Sequence, residues 1–132
     1  MILVDASALI PFLRGTDTVA TRHLAQALED DVPVYLTPIG VQEVLQGARD
    51  EQEWRRLDAY LSTQPLVEPA DALTTCRRAA RIYFDCRRRG LTVRGTIDCM
   101  VAQLALDHDL VLLHDDRDYD TIRRVSPLRT LP

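Results

Sequence analysis

Short apolar runs alternate with longer amphipathic segments along the whole chain. Residues 2–4, 34–36 and 111–113 read Ile-Leu-Val, Val-Tyr-Leu and Val-Leu-Leu. An uninterrupted apolar run of this length is typical of a strand that is buried on both faces of a parallel sheet. The pattern therefore predicts three such strands, together with a short strand at 64–67 and an edge strand at 128–131.

The segments between these runs repeat their apolar residues every three or four positions, as the buried face of a helix does. In residues 50–61, for example, Trp54, Leu57 and Leu61 recur in this way. Ser7 is the predicted N-cap of the first helix, and Gly90 is predicted to follow the end of the longest one. The predicted helices cover residues 8–13, 18–29, 38–48, 50–61, 70–89, 96–107 and 119–125.

Strands that alternate with helices indicate βαβ units, which form a parallel sheet with helices on both faces. The predicted fold class is therefore α/β, a three-layer α/β/α sandwich around a central, mostly parallel sheet. The chain has no internal repeat and no linker, so residues 1–132 are expected to form one domain. In such sheets a ligand binds at the carboxyl ends of the strands.

Composition places the chain among ordinary globular proteins, with 46% hydrophobic and 27% charged residues. No apolar run approaches the roughly 18 residues of a membrane span. The chain begins directly with a strand and lacks a basic, then apolar, leader, so the cytoplasm is the expected location. The odd number of cysteines, three, favours reduced thiols over a disulfide framework.

Acidic residues stand at four places where a strand would end or a helix would begin. They are Asp5, Glu43, Asp98 and the run that contains Asp115, Asp116 and Asp118. A carboxylate beside apolar segments is costly to bury unless something compensates its charge. A divalent cation compensates several carboxylates at once, so this pattern predicts a metal-dependent hydrolase.

The chemistry of Mg²⁺ and Mn²⁺ suits these residues, because both ions prefer oxygen ligands and keep several waters. Asp5 and Asp98 are the preferred direct ligands. Glu43 and Asp116 are expected to orient a water or hold a second ion, and Asp118 is the alternative to Asp116. An ion held in this way makes a bound water more acidic and neutralises charge on a phosphate.

Each acid also has a purely structural interpretation when it is taken alone. Asp98 in a first helical turn is favoured by the helix dipole, and the Asp115–Asp118 run could be a solvated turn. The hydroxyls of Ser7 and Thr96 lie two residues from Asp5 and Asp98 and are candidate supporting groups. The three histidines are scattered and are expected to be structural or exposed.

All 16 basic residues are arginines, although the net charge is −4. Seven of them fall in the segment 77–94, where Asp85 is the only acid. The guanidinium group binds phosphate through paired hydrogen bonds and stacks on bases. This arginine stripe is compatible with an RNA ligand, and equally with a solvated helix face.

Three segments together resemble the PIN-domain family of ribonucleases, and within it the VapC toxins. They are ILVDASALIPFLRG, TPIGVQEVLQGARD and RGTIDCMVAQLALDHDLVLLHDDRDYDTI, and the resemblance covers essentially the whole chain. The last segment is the most specific. Two departures stand out, since His114 occupies a position where many relatives have Thr and Tyr119 replaces a common Phe.

The resemblance implies an α/β/α domain with Mg²⁺- or Mn²⁺-dependent endoribonuclease activity. It carries the family's acidic cluster over to Asp5, Glu43, Asp98 and Asp116. It also implies an RNA substrate, a homodimer, and a small cognate antitoxin that inserts a segment near the site. The helix with Trp54 offers an apolar face that could serve the homodimer, the core or the antitoxin.

Two other functions are compatible with parts of the pattern. An aspartyl-phosphate enzyme also has an Asp after its first strand, but such enzymes resemble this chain poorly because it has no Lys and has Ser7 where a second Asp is usual. A non-catalytic RNA- or protein-binding domain of the same fold is the stronger alternative. Metal binding would favour the nuclease over that domain.

Overall fold

A four-stranded parallel sheet in the order β2-β1-β3-β4 forms the centre of the molecule. The computed structural model describes all 132 residues. The strands are β1 (Ile2–Val4), β2 (Val34–Tyr35), β3 (Val111–Leu113) and β4 (Thr130–Leu131). The helices are α1 (Ala6–Leu13), α2 (Val19–Glu29), α3 (Pro38–Gln46), α4 (Glu51–Leu61), α5 (Ala72–Arg88), α6 (Thr96–Asp107) and α7 (Arg117–Ile122).

Two separate hydrophobic clusters cover the two faces of this sheet. Leu3 belongs to one cluster, whereas its neighbours Ile2 and Val4 belong to the other. Successive side chains of a strand point to opposite faces, which explains the division. Helices α5, α6 and α7 pack on the Leu3 face and α1 to α4 on the other. The predicted three-layer sandwich with a parallel sheet is therefore confirmed.

Several element boundaries differ from the predictions because acidic side chains act as helix caps. Helix α1 begins at Ala6, since the side chain of Asp5 rather than Ser7 accepts the capping hydrogen bond. Helix α7 likewise begins early, because Asp116 caps it, and it ends at Ile122. Gly90 does follow the end of α5, with a φ of 70° that favours glycine.

The two marginal strands are shorter than predicted. Residues 64–67 form only one parallel bridge, between Leu36 and Leu66, and the edge strand is limited to Thr130 and Leu131. The apolar face of helix α4 is divided between the core and the surface. Leu61 is buried in the core and Leu57 packs against it, whereas Trp54 and Tyr60 are 42% and 38% exposed.

No helix combines the length and the apolar character needed to cross a membrane. Of the three cysteines, Cys86 and Cys99 are buried and Cys76 is exposed.

Helices α5 and α6 run antiparallel. The hydroxyl of Thr75, near the start of α5, donates a hydrogen bond to Asp107 at the end of α6. The carboxyl end of α5 therefore lies toward the amino end of α6, where Asp98 is found.

Candidate active site

Asp5 is the residue that joins the first strand to the first helix. Its backbone N–H donates to the carbonyl of Leu113, which ties it to the end of β3. One carboxylate oxygen accepts from the N–H of Ser7 at 3.0 Å, and the other accepts from the hydroxyl of Tyr119 at 2.7 Å. Asp5 is buried, with 7% of its surface exposed. Its carboxylate is thus fixed in place at the carboxyl end of the sheet.

The end of β3 lies beside the end of β1 and supplies the next acids. Ser7 accepts a hydrogen bond from the N–H of Asp115 at 3.0 Å, so the two loops are joined directly. One turn on, Oδ1 of Asp116 accepts from the N–H of Asp118 at 2.9 Å and begins α7. The hydroxyl of Ser7 therefore supports the site, as its spacing from Asp5 suggested.

Three carboxylates form the tightest group of acids in the molecule. Asp98, Asp116 and Asp118 each offer an oxygen, and these oxygens lie within 4.8 Å of one another. Asp98 is half-buried in the first turn of α6. Both members of the Asp116/Asp118 alternative are therefore brought to Asp98. Thr96 is exposed on the same turn and its hydroxyl makes no hydrogen bond within the chain.

Burial beside other acids raises the pKa of Asp98 to about 7. Burial makes the largest contribution, and the negative charges of Asp5, Asp116 and Asp118 add to it. Desolvation and like charges both disfavour the ionised carboxylate. In the absence of a bound cation, the group therefore holds a proton on Asp98 near neutral pH.

Glu43 belongs to the same electrostatic neighbourhood, although it lies outside the group of three. It is half-buried on α3. Burial raises its pKa, and the charge of Asp5 raises it further. The four acids selected from the sequence thus meet at one edge of the sheet, with Asp5 between Glu43 on one side and Asp98 on the other.

Arg94 contacts two of these acids directly, and the sequence interpretation missed this role. Its Nε and its backbone N–H each donate to Oδ2 of Asp118 at 3.1 Å. Its Nη2 donates to Oδ1 of Asp116 at 2.7 Å. Hydrogen bonding to Asp118 and the charges of both acids raise the pKa of Arg94. The only signal in the sequence was a basic residue in the loop just before the helix that bears Asp98.

His114 and Tyr119, the two departures from the family pattern, are neighbours in the structure. Their ring centroids are 4.9 Å apart. Nδ1 of His114 accepts from the N–H of Asp116 at 3.2 Å, whereas its buried Nε2 has no partner in the chain. Burial lowers the pKa of His114, so the ring is neutral near pH 7. It supports the turn that carries Asp116.

Four arginines of the stripe already have a hydrogen-bond or ion-pair partner in the chain. Arg78 pairs with Asp107 and Arg81 with Asp85, while Arg94 joins the acidic group. Arg89 donates to the backbone carbonyl of Arg124. The exposed arginines of the stripe with neither a hydrogen-bond nor an ion-pair partner are Arg77 in the first half of α5 and Arg87 and Arg88 at its end.

The donor set of this site fits a hard divalent cation. All the candidate ligands are carboxylate oxygens, which Mg²⁺ and Mn²⁺ prefer. The like charges that help burial to raise the pKa of Asp98 are ones that a divalent cation would offset. Asp98, Asp116 and Asp118, with Asp5 and Glu43 nearby, are the residues that could hold such an ion.

The sequence and the fold are both similar to known proteins. The profile of the PIN domain matches residues 2–125. The chain is 34% identical over 131 residues to the VapC ribonuclease Mb1587 of Mycobacterium bovis, covering 98% of this chain and 96% of that protein. It is 35% identical over 107 residues to ribonuclease VapC51 of Mycobacterium tuberculosis, covering 81% and 77%.

Solved structures with low sequence identity share the fold. FitAcB from Neisseria gonorrhoeae superposes with a TM-score of 0.73 and 18% identity, over 100% of this chain and 97% of that chain. VapBC2 from Rickettsia felis, solved with a DNA fragment from its promoter, gives a TM-score of 0.73 and 16% identity, over 99% and 98%. Together with the profile match and the curated relatives, these similarities identify the chain as a member of the PIN-domain family, within its VapC group.

Proposed function

We propose that this chain is a metal-dependent endoribonuclease that hydrolyses RNA phosphodiester bonds and acts as the toxin of a type II toxin–antitoxin pair. One near-full-length similarity and one that covers 81% of the chain support the activity, since both relatives are named ribonucleases and the family is the PIN domain. The nuclease domain would span residues 1–132. The expected place of action is the cytoplasm, where its RNA substrate is found.

The observation that carries this proposal is the group of carboxylate oxygens around Asp98. Three carboxylate oxygens within 4.8 Å of one another, and a pKa of about 7 at Asp98, describe a crowded acidic site that a divalent cation would stabilise. We assign Asp5 and Asp98 as direct ligands of Mg²⁺ or Mn²⁺, with Asp116 and Glu43 completing the site. When bound, the ion would acidify a water for in-line attack and neutralise charge on the scissile phosphate.

Asp116 is preferred over Asp118 as the fourth acid because the two differ in their surroundings. The side chain of Asp118 is only 7% exposed, and one of its oxygens receives two hydrogen bonds from Arg94. That of Asp116 is 25% exposed. Asp118 therefore acts as a structural anchor, while Asp116 is open to solvent and to an ion.

RNA binding is proposed for the end of α5 rather than for the whole arginine stripe. Arg87 and Arg88 are exposed in the last turn of α5 and have no acidic partner. The antiparallel packing of α5 on α6 brings this turn toward Asp98. Arginines in this position would hold phosphates of the RNA beside the acids.

A protein partner is proposed for the apolar groove between α3, α5 and α6. The groove has a volume of about 360 Å³ and is lined mainly by hydrophobic residues, among them Ile39, Tyr83, Ile97 and Met100. It adjoins the first turn of α6, so a segment bound there would lie beside Asp98. This position suits a cognate antitoxin, and we expect the toxin to form a homodimer within a toxin–antitoxin hetero-oligomer.

Induced expression in a bacterial host tests the proposal. Wild-type protein should arrest growth and create discrete new RNA ends, which sequencing would map to the substrate. Asp98→Asn should do neither, although it accumulates to the same level. Growth arrest by both proteins, or arrest without new RNA ends, would contradict a nuclease toxin.

A further inference from the structure

Arg94 bridges two carboxylates of the acidic group, one of which, Asp116, is a proposed metal ligand. Its guanidinium makes a bridge, with Nη2 on Asp116 and Nε on Asp118, at 2.7 and 3.1 Å. The bonded oxygen of Asp118 also accepts the backbone N–H of Arg94. A cation that belongs to the chain itself thus neutralises the acids that a divalent cation would also neutralise.

We propose that Arg94 is an internal counter-ion that competes with the divalent cation for Asp116 and sets the metal affinity of the site. This inference rests on the metal-dependent function proposed above. In the metal-free protein the guanidinium holds Asp116. When the ion binds, Asp116 turns to the ion and Arg94 keeps only Asp118. Arg94 is therefore a positioning residue and not a catalytic one.

The geometry allows this exchange without unfolding the loop. The backbone N–H of Arg94 remains bonded to Asp118 whichever way the guanidinium turns, so the loop stays anchored. The side chain of Arg94 is 61% exposed, which leaves it room to rotate into solvent. Asp116 has a second oxygen, and its Oδ1 already accepts from the N–H of Asp118. The hydrogen bond from the guanidinium of Arg94 to Asp116 is thus the one that can break.

The magnitude of the competition follows from the exposure of the pair. Two unit charges at hydrogen-bond distance interact strongly in a dry site, but solvent screens a half-exposed pair. Removing the positive charge of Arg94 should therefore tighten Mn²⁺ binding roughly tenfold rather than a thousandfold. If Arg94 only supported the loop, its removal would instead weaken Mn²⁺ binding, because Asp116 would become disordered.

Isothermal titration of the metal-free protein with Mn²⁺ tests the proposal without any measurement of cleavage. Arg94→Gln removes the charge and keeps a side chain that can hydrogen-bond, so it is preferred to Arg94→Ala as the variant that folds. Arg94→Lys keeps the charge. Arg117→Ala is the matched control, since Arg117 lies beside Arg94 on the same exposed surface but pairs with neither acid. Asp98→Asn removes a proposed ligand.

The expected result is a Kd for Mn²⁺ about tenfold lower in Arg94→Gln, with Arg94→Lys and Arg117→Ala close to wild type. Equal affinity in wild type and Arg94→Gln, with binding lost in Asp98→Asn, would overturn the role of Arg94 and leave the metal site intact. Weaker binding in Arg94→Gln would also overturn it. Binding in none of the proteins would overturn the metal site and the competition together.

Discussion

The hydroxyl of Tyr119 donates a 2.7 Å hydrogen bond to Oδ1 of Asp5, although the two residues lie 114 positions apart in the chain. Tyr119 is fully buried, so this bond connects the start of α7 to the end of β1 inside the protein. Tyr119 therefore supplies compensation for the buried Asp5.

Tyr119→Phe should lower the free energy of unfolding in EDTA by about 1–2 kcal/mol, because it removes one hydrogen bond to a charged group. Saturating Mn²⁺ should reduce this loss, since the ion compensates Asp5 directly. Urea unfolding in both conditions measures the difference. Tyr83→Phe is the control, because the half-buried Tyr83 hydroxyl makes no hydrogen bond in the chain. Equal losses of unfolding free energy in Tyr119→Phe and Tyr83→Phe would contradict the special role of Tyr119.

The stability of the metal-free protein should fall between about pH 4 and pH 7. The pKa of Asp98 is about 7 in the folded protein, where Asp5, Asp116 and Asp118 surround it with Arg94 nearby, and about 4 in an unfolded chain. The folded state therefore binds more protons in this range, and unfolding becomes easier as pH rises. Asp98→Asn should remove most of this decline. Urea unfolding of wild type and Asp98→Asn across this pH range measures the difference. An equal decline of the free energy of unfolding in the two proteins would contradict the role of Asp98.

Mn²⁺ should stabilise the folded protein, because the ligands converge only when the chain is folded. An ion at 100 times its Kd raises the free energy of unfolding by about 2.7 kcal/mol. Because Asp98 must lose its proton to bind, the rise in Tm should be larger at pH 8 than at pH 5.5. Differential scanning fluorimetry measures this rise. An equal rise in Tm for Asp98→Asn would mean that Mn²⁺ binds outside the proposed acidic site.

RNA affinity should depend on the two ends of α5 unequally. Arg77 and Arg88 are both exposed, but they lie about 16 Å apart along the helix, and only Arg88 lies in the last turn of α5, for which RNA binding is proposed. In an Asp98→Asn background, which prevents cleavage, Arg88→Ala should weaken RNA binding several-fold and reduce the salt dependence by about one phosphate contact. Arg77→Ala should leave the RNA affinity and its salt dependence unchanged. Fluorescence anisotropy at several salt concentrations distinguishes the two variants.

The sequence predicted the parallel sheet and the acidic edge because both depend on local patterns. Val111–Leu113 has the composition of a buried strand, and an Asp after such a strand must lie at its carboxyl end. Asp5 and the Asp115–Asp118 run could therefore be selected without the structure, and Asp98 was selected from its place in a first helical turn. Their convergence followed from the topology of parallel sheets.

The contacts of individual side chains could not be predicted in the same way. Arg94 reaches Asp116 across 22 positions, and no periodic pattern distinguishes it from the other arginines of its segment. The cap of α1 was assigned to Ser7, because Asp5 was considered only as a ligand. In the structure Asp5 serves as cap and candidate ligand at once, while Ser7 binds the N–H of Asp115.

Asp98→Asn is the better variant for testing catalysis. Asn matches the shape of a carboxyl group that already holds a proton near pH 7, so the fold should be preserved. Asp5→Asn is less suitable, because the carboxylate of Asp5 caps α1 and accepts from Tyr119. Asp5→Asn would therefore change the stability of the fold and the metal site at the same time.

The most direct test of the account is cleavage of total bacterial RNA by the purified protein in Mn²⁺, Mg²⁺ or EDTA. Wild type and the control Asp120→Asn, which changes an exposed acid outside the group of three, should both give discrete fragments with either metal and none in EDTA. Asp98→Asn should give none under any condition. Equal cleavage by Asp98→Asn, or no cleavage by folded wild-type protein free of antitoxin, would contradict a nuclease built on these acids and favour a binding domain of the same fold.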